Sequence, residues 1–190
     1  MPSRALQWWR RDASGALDQL ETAHRGVGGS GPGRRYATLQ VNHAYAVMLL
    51  SQFQGYCRRL HSEAVDFLAA NSNPEGVASV LRIVMVQGRK LDQGNPTPGN
   101  IGSDFARLGM NFWPQVHALD ARNAGRQASL DLLAKWRNAI AHQDWSAVGN
   151  DPTLHLKYVQ IWRRACNNLA KSFSEAVRRH LEALVGRSPW

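Results

Sequence analysis

The chain predicts an all-α fold, an antiparallel helical bundle, on three observations. Apolar residues recur at three- and four-residue steps along two long stretches, the signature of amphipathic helices. No segment alternates apolar and polar residues as a half-buried strand would. Clusters of Gly, Pro and Asn punctuate the chain at helix-length intervals. With 190 residues there is enough chain for one domain and a real core. A hydrophobic content of 44% with seven Trp argues against disorder.

Taken in order, residues 1–13 carry Trp8, Trp9, Arg10 and Arg11 without a clear period. Asp12 or Ser14 can cap a short helix through Leu17, Leu20 and His24. The run from Gly26 to Gly33 has the composition of a flexible linker. It is not a phosphate-binding loop, because no strand precedes it and no Gly-Lys-Ser/Thr follows. Residues 1–34 therefore read as a tethered arm and linker, 35–187 as the bundle, and 188–190 as a tail. From Arg35 to Ala70, Tyr45, Leu49, Phe53, Tyr56, Leu60 and Ala64 mark one long helix, roughly 50 Å at 1.5 Å per residue. Asn73 and Pro74 suit the cap and first position of a second helix, running through Val77, Val80 and Val84 to about Leu91. Gly94–Gly99 reads as a loop. Ser103 caps a shorter helix closed by Trp113-Pro114, and 115–121 is ambiguous. A helix from about Asn123 to His142 follows. After a loop, Asp151 or Thr153 caps a last long helix striped by Tyr158, Ile161, Trp162, Leu169, Phe173 and Val177. Gly186 stops it.

Charge narrows the partners. Lys+Arg 23 against Asp+Glu 14 gives +9 and a pI of about 10.4. Most of those cations are Arg, which forks onto phosphate better than Lys does, so a polyanion such as RNA fits. Cys57 and Cys166 form no CxxC and read as small buried hydrophobes in a reducing compartment. The N-terminus lacks the apolar core of a signal peptide, and the longest apolar run, Ala44–Leu50, is too short to span a bilayer. The expected location is cytoplasmic, with no membrane partner. His24, His43, His61, His117, His155 and His180 lack metal-ligand spacing, so no metal and no cofactor are expected.

The stretch richest in chemistry is Lys135-Trp136-Arg137-Asn138-Ala139-Ile140-Ala141-His142. Asn138 and His142 stack on one helix face, one turn apart. Arg137 falls on the neighbouring, mainly buried stripe, where a guanidinium requires a carboxylate or an anion from outside. His is the side chain that exchanges protons near neutrality. A fixed cation beside it suits phosphodiester chemistry, in which negative charge and proton transfer are handled together. On spacing alone the simpler reading is that these cations complement a helix C-terminus.

With the helices placed, the sequence resembles the HEPN superfamily, all-α bundles whose signature is Arg, four to six residues, then His. Here that is Arg137-Asn138-Ala139-Ile140-Ala141-His142, and the RiboL-PSP-HEPN branch is the most similar. The segment Leu50–Tyr56 in the long helix is a second match, and the resemblance spans about 36–185. It implies a metal-independent endoribonuclease, typically the toxin of a toxin–antitoxin or phage-defence system, neutralised by a cognate antitoxin protein. Catalytic roles would fall on Arg137, Asn138 and His142 in a homodimer whose two motifs face each other. Gln54, Arg58 and Arg59 would lie toward the RNA. Relatives often carry Glu near position 54 as partner for the motif Arg, whereas this chain has Gln54. The pairs Arg58-Arg59, Arg163-Arg164 and Arg178-Arg179 otherwise read as solvated faces. The other readings are a non-catalytic HEPN domain binding RNA or nucleotide, or a helical protein–protein interaction module. Tyr45, Tyr56, Trp136, Trp162 and Phe173 are more aromatic surface than a monomer of this size is expected to bury, which also points to a dimer.

Overall fold

The computed structural model describes residues 1–28, 35–72 and 75–190, and among these every regular element is helical. The chain begins with α1 (Arg4–Trp8), a π-helical turn (Trp9–Ala13) and α2 (Ser14–Gly28). Then come α3 (Arg35–Ala70), α4 (Glu75–Val86), α5 (Lys90–Gln93), α6 (Pro98–Ala106), α7 (Phe112–Leu119), α8 (Asn123–His142) and α9 (Leu156–Val185). No helix among the described residues is long and apolar enough to cross a membrane.

Helix α3 is the spine. Its apolar period puts Tyr45, Leu49, Phe53, Tyr56, Leu60 and Ala64 in the core, and α1, α2, α4, α8 and α9 all pack on it. Against α9, α3 contacts ascend together: Tyr45 meets Arg163 and Phe53 meets Phe173. Between α8 and α9 the contacts run the other way, with Asn123 on Ser172 and Trp136 on Trp162. The antiparallel arrangement thus holds for α8 against α9 and not for the two longest helices. At the centre, Phe53, Phe112 and Trp113 all pack on Phe173.

The N-terminal arm is part of the core, not a tether. Ala5, Leu6, Trp9, Ala13 and Leu17 are buried, spaced mostly four apart. The Trp9 indole sits edge-on to Phe53 and donates to Asn167 at 3.0 Å. Glu63 on α3 accepts the backbone N–H groups of Arg4 and Ala5 at 2.9 and 3.0 Å, closing the N-terminus of α1. Arg163, expected on a solvated face, instead ties α2 to α3 and α9. It donates to Glu21, Asp18 and the Tyr45 hydroxyl at 3.0, 2.7 and 3.1 Å. Burial works to raise the Glu21 pKa, but hydrogen bonds from Tyr45, Arg163 and Gln160 outweigh it and hold the carboxyl below its usual range. Arg178 and Arg179 pair with Glu175 on their own helix. Gly26–Gly28, read as linker, belong to α2, and the remainder of that linker with Asn73 and Pro74 lies outside the described residues. Trp190 in the tail is half-buried against the core.

Several helix ends differ from the sequence reading. Thr97, not Ser103, caps α6, its hydroxyl accepting from Asn100 N with Pro98 at the first position. Trp113-Pro114 opens α7 instead of closing a helix, because proline is tolerated in a first turn where its N–H has no intrahelical partner. His155 stands at the N-cap of α9 without a side-chain bond, while Asp151 accepts Thr153 N in the preceding turn. Helix α8 spans the predicted residues, and Gly186 at φ +77° ends α9 as expected. Tyr45, Tyr56, Trp136, Trp162 and Phe173 are all buried within one chain, so they provide no dimer surface.

If the arm is docked as described, Trp9→Ala leaves a large hole between α3 and α9. It should cost about 3–5 kcal/mol in urea denaturation. Wild-type stability in that variant would mean that the arm is not part of the folding unit.

Candidate functional site

The Arg137–His142 segment is the last turn and a half of α8. The helix ends there because Gln143 takes the left-handed conformation, φ 55°, and its N–H returns to Ala139 O. Gln143 also donates from Nε2 to Ile140 O at 2.7 Å, which helps hold a conformation unusual for a residue with a Cβ. Trp136 and Ala139 are buried beneath, Trp136 against Trp162 and Trp145. This packing sets the rotation of α8 and turns Asn138 and His142 outward, both exposed, with Arg137 partly buried beside them.

Arg137 forms no ion pair with any described residue; its guanidinium lies 3.5 Å from Asn138 Oδ1. The arginines of comparable or deeper burial are answered differently. Arg89, Arg126, Arg163 and Arg178 each meet a carboxylate, and Arg107 donates to the carbonyls of Val84 and Gln87. Asn138 is held from the other side by Asn95, whose Nδ2 donates to the same Oδ1. His142 makes no hydrogen bond or ring contact among the described residues. Its charge reaches Asp144, whose carboxyl is held below the usual range first by Ser146 and only secondarily by His142.

Asn95 went unnoticed in the sequence, where Gly94–Gly99 read as a plain loop. Its position is built from below. The carboxylate of Asp104, buried on α6, accepts Lys90 N and Leu91 N at 2.8 Å each, which starts α5. Gln54 on α3 donates from Nε2 to Leu91 O and Gly94 O at 2.5 and 2.9 Å, and Asn100 donates to Asn95 O at 2.8 Å. Gln54 therefore reaches the motif through the 91–95 segment and does not pair with Arg137. Arg58, one turn along α3, pairs with Asp92 at 2.7 Å on the same segment. Arg59 points elsewhere, its guanidinium 3.8 Å above the Trp8 ring, beside Gly55, where a Cβ would come within 3.3 Å of the indole. Gln54 and Arg58 thus join the motif's surroundings, and Arg59 does not.

The same segment is anchored by a buried pair. His61 is fully buried on α3, and its Nε2 lies 3.0 Å from Asp104 O. With the N–H there, Nδ1 presents its lone pair to Arg89 Nη1 at 3.5 Å. Arg89, 7% exposed, also donates to Ser62 at 2.9 Å and to Asp92. Burial first, and the Arg89 charge second, lower the His61 pKa to about 4. Three other histidines make packing contacts: His43 with Pro152 O, His117 with Gln127 and His180 with Leu108 O. Among the described residues no three His, Cys, Asp or Glu side chains gather to hold a metal ion. No family model, curated protein or solved structure matches the chain.

Because His61 is neutral in the folded chain and titrates near 6.5 when unfolded, the unfolded state binds the extra proton first as pH falls. The stability it contributes is complete above about 6.5 and drains away down to about 4, on the order of 3 kcal/mol in all. His61→Gln should lose less stability than wild type between pH 6.5 and 4 in urea titrations. Parallel losses would place the acid sensitivity elsewhere.

Proposed function

We propose that this chain is a metal-independent endoribonuclease of the HEPN type, acting on RNA through Arg137, Asn138 and His142. One observation carries the reading: a partly buried guanidinium without a carboxylate stands beside an exposed Asn and, one turn on, an exposed His. A guanidinium in that state is ready for an anion from outside, and the +9 charge favours a polyanion. RNA supplies its own nucleophile. The 2′-OH gives up its proton to a base and attacks the adjacent phosphorus, and the 5′-oxygen leaves with a proton from an acid. The products carry a 2′,3′-cyclic phosphate and a 5′-OH. Arg137 neutralises the non-bridging oxygens as charge builds. Asn138, held by Asn95, orients the phosphate or the imidazole. His142 serves as base or acid.

One chain brings one imidazole to this site, so the second proton-transfer group comes from a second copy across a two-fold axis. Leu132 on α8 and Tyr158 and Ile161 on α9 are exposed on the two helices around the motif, and they suit such a contact. The same reading makes the protein a cytoplasmic toxin of a toxin–antitoxin or phage-defence system, with a cognate antitoxin protein as its further partner.

His142→Ala and Arg137→Ala should each lower RNA cleavage by about 10²–10⁴-fold while leaving helicity and melting unchanged. Cleavage should survive EDTA and follow a bell-shaped pH profile near neutrality. Mixed Arg137→Ala and His142→Ala chains should recover part of the activity. Wild type that binds RNA without cutting it would favour the non-catalytic alternative, and a fully active monomer would overturn the composite site.

A further inference from the structure

Helix α9 carries its cations outward in a regular row. Lys157, Arg164 and Lys171 recur every seven residues, and all three are exposed. At 100° per residue they fall within about 40° of one another and extend about 21 Å along the axis. The buried stripe of Cys166, Phe173 and Val177 lies on the opposite side of the helix. Helix α8 runs antiparallel to α9, with Asn123 on Ser172 and Trp136 on Trp162, so the end that bears His142 lies near the level of Lys157. Tyr158 and Ile161 fall on the flank of α9 toward α8, beside the row and not on it. On the other flank stands the arm, which Trp9 holds against α9 through Asn167. The arm adds the exposed Arg10, which with Lys171, Arg178, Ser174 and Glu175 lines much of a cavity of about 550 Å³.

Arg10, Lys157, Arg164 and Lys171 form no ion pair with any described residue. Exposed cations elsewhere on the protein do. The side chains of Arg58, Arg82, Arg122, Lys135 and Arg179 are 45–80% exposed, and each meets a carboxylate. Along α9 the acids are missing, since no Asp or Glu occurs from Thr153 to Ser174. The first, Glu175, stands one turn beyond Lys171 and is held by Arg178 and Arg179. Asp12 shares the exposed turn with Arg10 and Arg11 and offsets one of their charges. Cations set in a row without acids, on a chain of net charge +9, fit a partner with negative charge at regular intervals.

We infer that the outward face of α9, from Lys157 to Lys171 with Arg10 beside it, binds the phosphodiester backbone of an RNA strand whose scissile phosphate reaches the Arg137–His142 segment. The inference takes its ligand from the nuclease reading. Contacts to phosphate fix the place of a strand and carry no sequence information. The face therefore selects long strands over short ones, and not one sequence over another.

Anisotropy of a fluorescein-labelled RNA strand of about 16 nucleotides, measured in the His142→Ala background, separates this face from cleavage. Arg164→Gln combined with Lys171→Gln should weaken binding about tenfold or more. The slope of log Kd against log salt should fall by about 1.4, near 0.7 for each lost phosphate contact. Arg4→Gln combined with Arg82→Gln removes the same charge on the side of α3 and α4, and should change binding far less. All four side chains are exposed, so circular dichroism should show equal helicity throughout. Equal weakening by the two pairs overturns the inference, because net charge alone would then account for binding. RNA bound with an unchanged salt slope in the α9 pair overturns it as well and leaves the nuclease reading standing. Wild type that never cuts RNA, while the α9 pair still loses binding, overturns the nuclease reading alone. A chain that binds no RNA overturns the inference too, and poly-glutamate bound in its place assigns the face to an acidic protein.

Discussion

A carboxylate taken out of water has to find donors, and the shape of the site follows from where Asp104 finds them. Its two oxygens accept the backbone N–H groups of Lys90 and Leu91, and its own carbonyl receives the buried His61 imidazole. The chain must therefore turn after Gly88 and run back along α3 at the level of Gln54. Without that turn, Asn95 would not reach Asn138. An acid buried in α6 thus governs the surroundings of a motif far from it in sequence.

Position 54 shows how one atom redirects a side chain. A Glu there could only accept hydrogen bonds when ionised, and could not donate to the two carbonyls. Gln is nearly the same size, but its amide nitrogen donates, and the groups within reach are the carbonyls of Leu91 and Gly94. The amide holds the 91–95 segment down, and Arg137 is left without a carboxylate. A partly buried cation in that condition is costly unless something negative arrives, which is why it weighs more in the functional reading than the His does.

The long helices were legible because their periodicity is local. The limits of α3 and α8 agree with the sequence reading almost residue for residue. The arm was missed although Ala5, Trp9, Ala13 and Leu17 recur every four residues. Polar residues and the adjacent Trp8 obscured that stripe, and the glycines after it suggested a tether. Thr97-Pro98 is a cap followed by a first-turn proline and was readable as such; Trp113-Pro114 was ambiguous, since proline both follows and begins helices. Asn95 could not be found from sequence at all. Its role depends on Gln54, Asn100 and Asn138 meeting in space, and no spacing rule encodes that.

The end of α8 bears on both readings of His142. Helix C-termini attract cations, so an exposed His in the last turn needs no catalytic reason to be there. That account covers His142 by itself. It does not cover Arg137, which sits more than a turn earlier and on the inward side, or the Asn95–Asn138 contact, which ties a separate loop to the same face. A cap requires none of this scaffolding. The proposed phosphate site would use it, because an anion is best met by groups whose positions are fixed before it arrives. The packing of Trp136 on Trp162 and Trp145 fixes α8, while Asp104 and Gln54 fix the loop. In the proposed reading, this packing is what holds the Arg and the His of one helix in place before RNA arrives.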